Sequence, residues 1–179
     1  MLIRPACEVD LVPLNDLYNH YVRETHITFD IEPITLKQRR EWFGHYDTIG
    51  RHQVLVAVED SGLLGYASSS TWRPKPAYVT SVETSVYLAP DATRRGIGTA
   101  LYGRLFEALE GEDVHRAYGG IAIPNPASIA LHQRFGFRRV AYYTEQGRKF
   151  DRYWDVAVYE KPLVQRGVVT KTAFSRPFL

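Results

Sequence analysis

The sequence predicts a single α/β (α+β) domain, and three observations carry that expectation. The chain has 179 residues, enough for one well-filled core and too few for two. Residues 85–103 run from a β-prone segment (Val86, Tyr87, Leu88) through a short basic loop with two glycines into a helical pattern. Along the whole chain the apolar spacing switches between periods of 2 and 3.6, in the order β-α-α-β-β-β-α-β-α-β-β.

Taken in order, residues 2–4 form a first strand. A helix over 10–23 sets Leu11, Leu14, Tyr18 and Tyr21 on one face, and its first turn tolerates Pro13. Residues 25–33 form a loop. Thr35 and Gln38 make a capping box that opens a second helix, which buries Leu36, Trp42 and Phe43. Strands over 54–58 and 63–70 are joined by the turn Asp60-Ser61-Gly62. Residues 72–78 are a loop stiffened by Pro74 and Pro76, and a strand over 79–88 follows. The third helix carries Ile97, Leu101 and Leu105 in one row, with Tyr102, Phe106 and Leu109 beside it. After Gly111 come a strand over 117–123 and a short helix. Asn125 caps that helix, Pro126 takes its first position and Gly136 stops it. A strand near 138–143 precedes a last one, 152–159, whose alternating aromatic side chains are expected to mark an open sheet edge. The domain spans 1–163, and the tail 164–179 has no pattern of its own.

Composition excludes several classes of function. The net charge is +2 and no Lys/Arg block occurs, so a nucleic-acid partner has no electrostatic basis. The single cysteine, Cys7, rules out an internal disulfide and fits a reducing cytoplasm. No apolar run reaches transmembrane length, and Met-Leu-Ile-Arg-Pro is not a signal peptide, so no membrane association is expected.

The chemistry is written in the glycine loop. Glycines allow a tight turn and close approach of a ligand to the backbone. The following helix start offers unpaired N–H groups and the positive dipole end, and Arg94 and Arg95 add full charges. This suits a di- or polyphosphate. A dinucleotide fingerprint would need glycine where Leu101 stands, and a P-loop would need Gly-Lys-Ser or Gly-Lys-Thr. Thr93-Arg94-Arg95-Gly96-Ile97-Gly98 instead resembles the pyrophosphate loop of the GNAT superfamily of N-acetyltransferases, Arg/Gln-x-x-Gly-x-Gly/Ala, departing from it at Thr93. Residues 125–137, with Asn125, Ser128, Leu131, His132, Gly136 and Phe137, resemble the second acetyl-CoA motif of that superfamily. The resemblance implies a mixed, mostly antiparallel sheet flanked by helices, acetyl-CoA as cosubstrate and no metal. It also implies diphosphate contacts from Arg94, Arg95, Gly96, Ile97, Gly98 and Thr99. The pantetheine arm would lie along Val86, Tyr87 and Leu88, whose N–H groups would also face the developing oxyanion, with Asn125 and Ser128 beside it.

Three further stretches resemble phosphinothricin and methionine sulfoximine N-acetyltransferases. They are Asn19-His20-Tyr21 with Thr28-Phe29-Asp30 and Glu32-Pro33, Trp72 to Tyr78, and Val82-Glu83-Thr84-Ser85-Val86-Tyr87. An amine must lose its proton to attack a thioester, and a carboxylate with a raised pKa in a partly apolar setting can take it. Glu83, among Val79, Val82 and Val86, is either that base or a surface glutamate, and the resemblance implies the base. His132 is either a general acid for the departing thiolate or a contact to the cosubstrate. Arg73, Lys75 and Tyr78 suit an anionic amino-acid analogue as acceptor. Thr84, Phe29 and Tyr102 would complete the substrate pocket, although Phe29 and Tyr102 could equally be core. The resemblance also implies a homodimer. Two other readings are an acetyltransferase for another amine (a peptide N-terminus or an aminoglycoside) and a non-catalytic acyl-CoA-binding module.

Overall fold

The computed structural model describes residues 1–163, so the expected tail, 164–179, lies outside the described residues. Seven strands form one sheet in the order β1-β2-β3-β4-β5-β7-β6. They are β1 (Leu2–Pro5), β2 (Val54–Glu59), β3 (Gly62–Thr71), β4 (Ser81–Leu88), β5 (Arg116–Ile123), β6 (Arg138–Lys149) and β7 (Arg152–Pro162). Four helices accompany them: α1 (Leu11–Glu24), α2 (Leu36–Phe43), α3 (Ile97–Ala108) and α4 (Pro126–Arg134). The order of strands and helices is the one read from the sequence. All strand pairs are antiparallel except β4 with β5, so the sheet is mixed.

Successive strand residues point to opposite faces, which gives the sheet two cores. Val82, Val86 and Leu88 of β4 join the apolar row of α3 (Ile97, Leu101, Leu105) together with Phe137. On the other face Tyr87 packs with Leu11, Leu14 and Leu17 of α1, Val56 and Tyr66.

Two expectations are corrected. The strand over 152–159 is not an edge, because β7 pairs with β5 on one side and β6 on the other. Its burial changes along the strand rather than between faces, from exposed Tyr153 to buried Ala157, Val158 and Tyr159. The edge on this side of the sheet is β6, which runs six residues beyond the expected 138–143, past a register irregularity between Tyr143 and Gly147. In α2 the capping box forms as expected, with the Thr35 side chain accepting from the Gln38 amide at 3.3 Å. Leu36, Trp42 and Phe43, however, are only half-buried; the buried residue of α2 is Arg39.

The loop between α1 and α2 is tied down from both sides. Asn19 donates to the Ile34 carbonyl at 2.8 Å and accepts from the Ile34 amide at 2.9 Å. From the far end of the sheet, Lys149 Nζ donates to the Thr28 carbonyl at 2.7 Å. Phe29 lies against Gly147, where a Cβ would come within 2.3 Å of its ring. His26 stacks on Trp154 at 4.0 Å. The loop thus closes one side of the region where β4 and β5 part. No helix among the described residues is long and apolar enough to cross a membrane.

Candidate active site

The site originates in a pairing that stops early. β4 and β5 are in register only over Ser81–Glu83 and Arg116–Tyr118, whereas β5 stays paired with β7 along its whole length, Arg116 to Ile123. Backbone groups of β4 that face β5 beyond Glu83 are left without a strand partner. A cleft of about 300 Å³ opens there, lined by Ser85, Val86, Tyr87 and Leu88 on one side and Gly120 to Ala122, Asn125 and Ser128 on the other.

The α3 start adjoins this cleft, with Gly98 next to Val86, Leu88 and Leu131, which line it. Gly96 takes a left-handed conformation (φ +77°) as the N-cap, and Arg94 before it does the same (φ 59°). The amides of Ile97, Gly98 and Thr99 find no acceptor among the described residues, as expected for a first helical turn. A Cβ built on Gly98 would sit 3.4 Å from Leu88 and 3.7 Å from Leu131, an ordinary contact. Packing alone therefore does not demand glycine there, whereas a group lying against the amides would. Arg95 is not free for that group: its guanidinium is held by both carboxylate oxygens of Glu59 at 3.0 Å. Arg94 is exposed. Asn125 caps α4 by accepting from the Ser128 amide at 3.1 Å, and both residues line the cleft.

Two consecutive glycines of β5 decide where the titratable groups lie. Gly119 and Gly120 face opposite sides of the sheet. A Cβ on Gly119 would stand 2.3 Å from His132 Nε2, and one on Gly120 would stand 3.5 Å from Glu83 Oε1. His132 and Glu83 therefore approach β5 from opposite faces, each over a missing side chain.

Glu83 is half-buried, and its carboxylate meets no hydrogen-bond donor among the described residues. Burial raises its pKa above the ordinary carboxylate value. His132 is only 4 % exposed. Its Nδ1 lies 2.8 Å from the Ser128 carbonyl, which can only accept, so Nδ1 carries the proton. Nε2 then accepts from the Tyr102 hydroxyl at 2.9 Å. Burial pushes the imidazole below its usual pKa, against the effect of the Ser128 bond, so it is mostly neutral at pH 7. Tyr102, expected as a pocket wall, has 0 % exposure and lies in the α3 core, its hydroxyl 2.7 Å from Thr84 Oγ1. The apolar row of α3 that it accompanies turns it inward. Thr84 is buried as well, but reaches the cleft lining.

Alanine at Gly119 would drive into the imidazole and break the Tyr102–His132 bond. We expect Gly119→Ala to cost about 1–3 kcal/mol of stability. An unchanged denaturant midpoint would show that His132 can move aside freely.

The loop 72–78 sits beside the same point of β5. Trp72 stacks on Tyr118, the register partner of Glu83, at 4.4 Å. The Arg73 guanidinium lies 5.5 Å from the ring centres of both Trp72 and Tyr78. Arg73, Lys75 and Tyr78 are exposed, and Phe29 is half-buried in the tied loop. Sequence reasoning missed the Trp72–Tyr118 stack, the paired role of Gly119 and Gly120, and Arg39. Two glycines inside a strand pattern were the available signal for the second of these. Among the described residues no group of three or more His, Cys, Asp or Glu side chains could hold a metal ion.

Residues 14–137 match the family model described as acetyltransferase (GNAT) family. The chain is 61% identical over 163 residues to a phosphinothricin N-acetyltransferase from Streptomyces coelicolor, covering 90% of this chain and 95% of that protein. It is 36% identical to an L-methionine sulfoximine/L-methionine sulfone acetyltransferase from Pseudomonas aeruginosa, over 86% of this chain and 90% of that one. Its fold is similar to that of yncA from Salmonella typhimurium, solved with its cofactor acetyl-CoA. There the TM-score is 0.88 at 31% identity, over 94% of this chain and 96% of the other.

Proposed function

The chain belongs to the GNAT family of acetyltransferases, and on that premise we propose that acetyl-CoA donates its acetyl group to a small amino-acid-like acceptor. The acceptor class is that of phosphinothricin and methionine sulfoximine or sulfone, the compounds named for relatives of this chain. The observation that carries this reading is the cleft between β4 and β5, with the free α3 amides adjoining its Leu88 and Leu131 and Glu83 at the point where the two strands part.

The residues divide the work as follows. The amides of Ile97, Gly98 and Thr99 hold the diphosphate, with Gly96 shaping the turn and Arg94 adding charge. Thr99 and Arg95 contribute backbone to this loop, and the Arg95 side chain braces it through Glu59. Backbone groups of Val86, Tyr87 and Leu88, with Asn125 and Ser128 across the cleft, hold the pantetheine arm. Glu83 takes the amine proton, directly or through a water, because its raised pKa matches it better to that task than an ordinary carboxylate. Amides of the Val86–Leu88 segment stabilise the oxygen that gains charge during attack. Arg73, Lys75 and Tyr78 recognise an anionic group of the acceptor, with Phe29 and Thr84 nearby. His132 is the proton source we assign to the departing thiolate. In the neutral ring the proton sits on Nδ1 against Ser128, so to act as an acid His132 must first take a proton at Nε2 and let go of Tyr102, and an alkyl thiolate needs little such help.

The test is a panel of amino acids and analogues incubated with acetyl-CoA while free CoA is measured. Phosphinothricin or methionine sulfone should release CoA, and polyamines and aminoglycosides should not. Release with an aminoglycoside but none with the amino-acid analogues would replace this reading.

We also propose that two copies associate through β6 in the cytoplasm. Val140, Tyr142 and Tyr143 of this edge strand are 44–46 % exposed, which is costly for apolar and aromatic surface. Sedimentation at micromolar concentration should give a dimer, and a monomer alone would count against it.

A further inference from the structure

Arg39 is the most deeply buried charged residue near the site and the mechanism above does not use it. It is 2 % exposed, on the inner face of α2. Its guanidinium is stacked between two rings, 4.7 Å from the centre of Tyr18 and 4.4 Å from that of Trp42. Stacking orients the planar fork but satisfies none of its N–H groups. Nε and Nη2 are buried without a hydrogen-bond partner. A buried arginine cannot lose its proton, so an unpaired one calls for an anion.

Arg39 lines a cavity of about 290 Å³ together with polar groups, among them Asp30, Gln38, Tyr46, Ser68, Ser70 and Ser85. Asp30 does not neutralise it: its carboxylate accepts from Tyr18 at 2.6 Å and forms no ion pair with Arg39. Ser85 and Tyr87 line both this cavity and the β4–β5 cleft. Glu83 precedes Ser85 by two residues and so lies on the same face of β4. Tyr46 feels the charges of both Arg39 and Glu83. A molecule with its amine at Glu83 can therefore extend an oxyanion toward Arg39.

We infer that Arg39 is a specificity-determining residue whose guanidinium binds an oxyanion of the acyl acceptor. The inference rests on the acceptor class proposed above. The loop residues Arg73 and Lys75 then serve a second anionic group where the acceptor has one, as phosphinothricin does. An oxyanion at Arg39 could be the α-carboxylate or the side-chain phosphinate, and both have the paired oxygens the fork requires.

The experiment compares wild type, Arg39→Met and Arg39→Lys on four probes. These are L-methionine sulfone, its α-carboxamide, L-phosphinothricin and its α-carboxamide. Arg39→Met should raise KM for the anionic probe by about tenfold or more, with kcat and the KM for acetyl-CoA nearly unchanged. Loss on methionine sulfone but not on its carboxamide identifies the α-carboxylate. Loss confined to the two phosphinothricin probes identifies the phosphinate. Arg39→Lys keeps the charge without the fork and should show a smaller loss of the same selectivity, and it serves alone if Arg39→Met does not fold. Equal loss on all four probes, or none, overturns the inference and leaves Arg39 a packing residue. If wild type acetylates none of them, the acceptor class itself has failed. Calorimetric binding of the same probes then decides Arg39 separately, since a carboxylate that binds wild type and both variants equally overturns its role.

Discussion

Glu83→Gln is expected to lower turnover by about two to four orders of magnitude, the range that general base catalysis supplies. Glutamine keeps the size and much of the hydrogen bonding of the side chain, so the β4–β5 junction and the packing over Gly120 should persist. What goes is the proton acceptor. Affinity for acetyl-CoA should stay nearly constant, because the diphosphate and pantetheine contacts lie elsewhere in the cleft. The pH profile gives an independent check. A carboxyl group acts as a base only when ionised, and burial moves its pKa upward. The acidic limb of kcat/KM should therefore fall at a higher pH than an unperturbed glutamate would set, and the limb should vanish in the variant. His132→Ala should cost less, since the thiolate leaves without full protonation. Near-normal turnover of Glu83→Gln on the best acceptor would assign proton removal to water or another side chain.

Gly98→Val should raise the acetyl-CoA dissociation constant at least tenfold, about 1.4 kcal/mol. The geometry makes this a cleaner substitution than the same change at Gly96. Gly96 has φ +77°, so a β-branched residue there would strain the backbone even without a ligand. Gly98 is helical, and its Cβ would meet Leu88, Leu131 and Val86 at 3.4 to 3.9 Å, contacts that a folded protein tolerates. The new methyl groups would then crowd the space before the free amides. Equilibrium binding and a thermal melt on the same sample separate the two effects. A folded variant with unchanged affinity would mean that the diphosphate lies elsewhere.

Much of this protein was determined by its sequence alone. Period switching, together with turn and cap signals, placed the seven strands and four helices of the described residues in order. Asn125, Pro126 and Gly136 fixed the ends of α4, and Thr35 with Gln38 fixed the start of α2, because caps satisfy orphan backbone groups locally. The glycine loop announced an anion site for the same local reason. Tertiary structure decided the rest. Whether β7 was an edge depended on a strand, β6, whose extension past Tyr143 has no apolar periodicity. The division of Glu83 and His132 between two faces depended on which strand Gly119 and Gly120 join. The burial of Arg39 depended on Tyr18, twenty-one positions away in the sequence, reaching from α1 to the guanidinium that Trp42 also covers. Local pattern specifies which elements form, but the environment of a charge is set by side chains that meet only when the chain has folded.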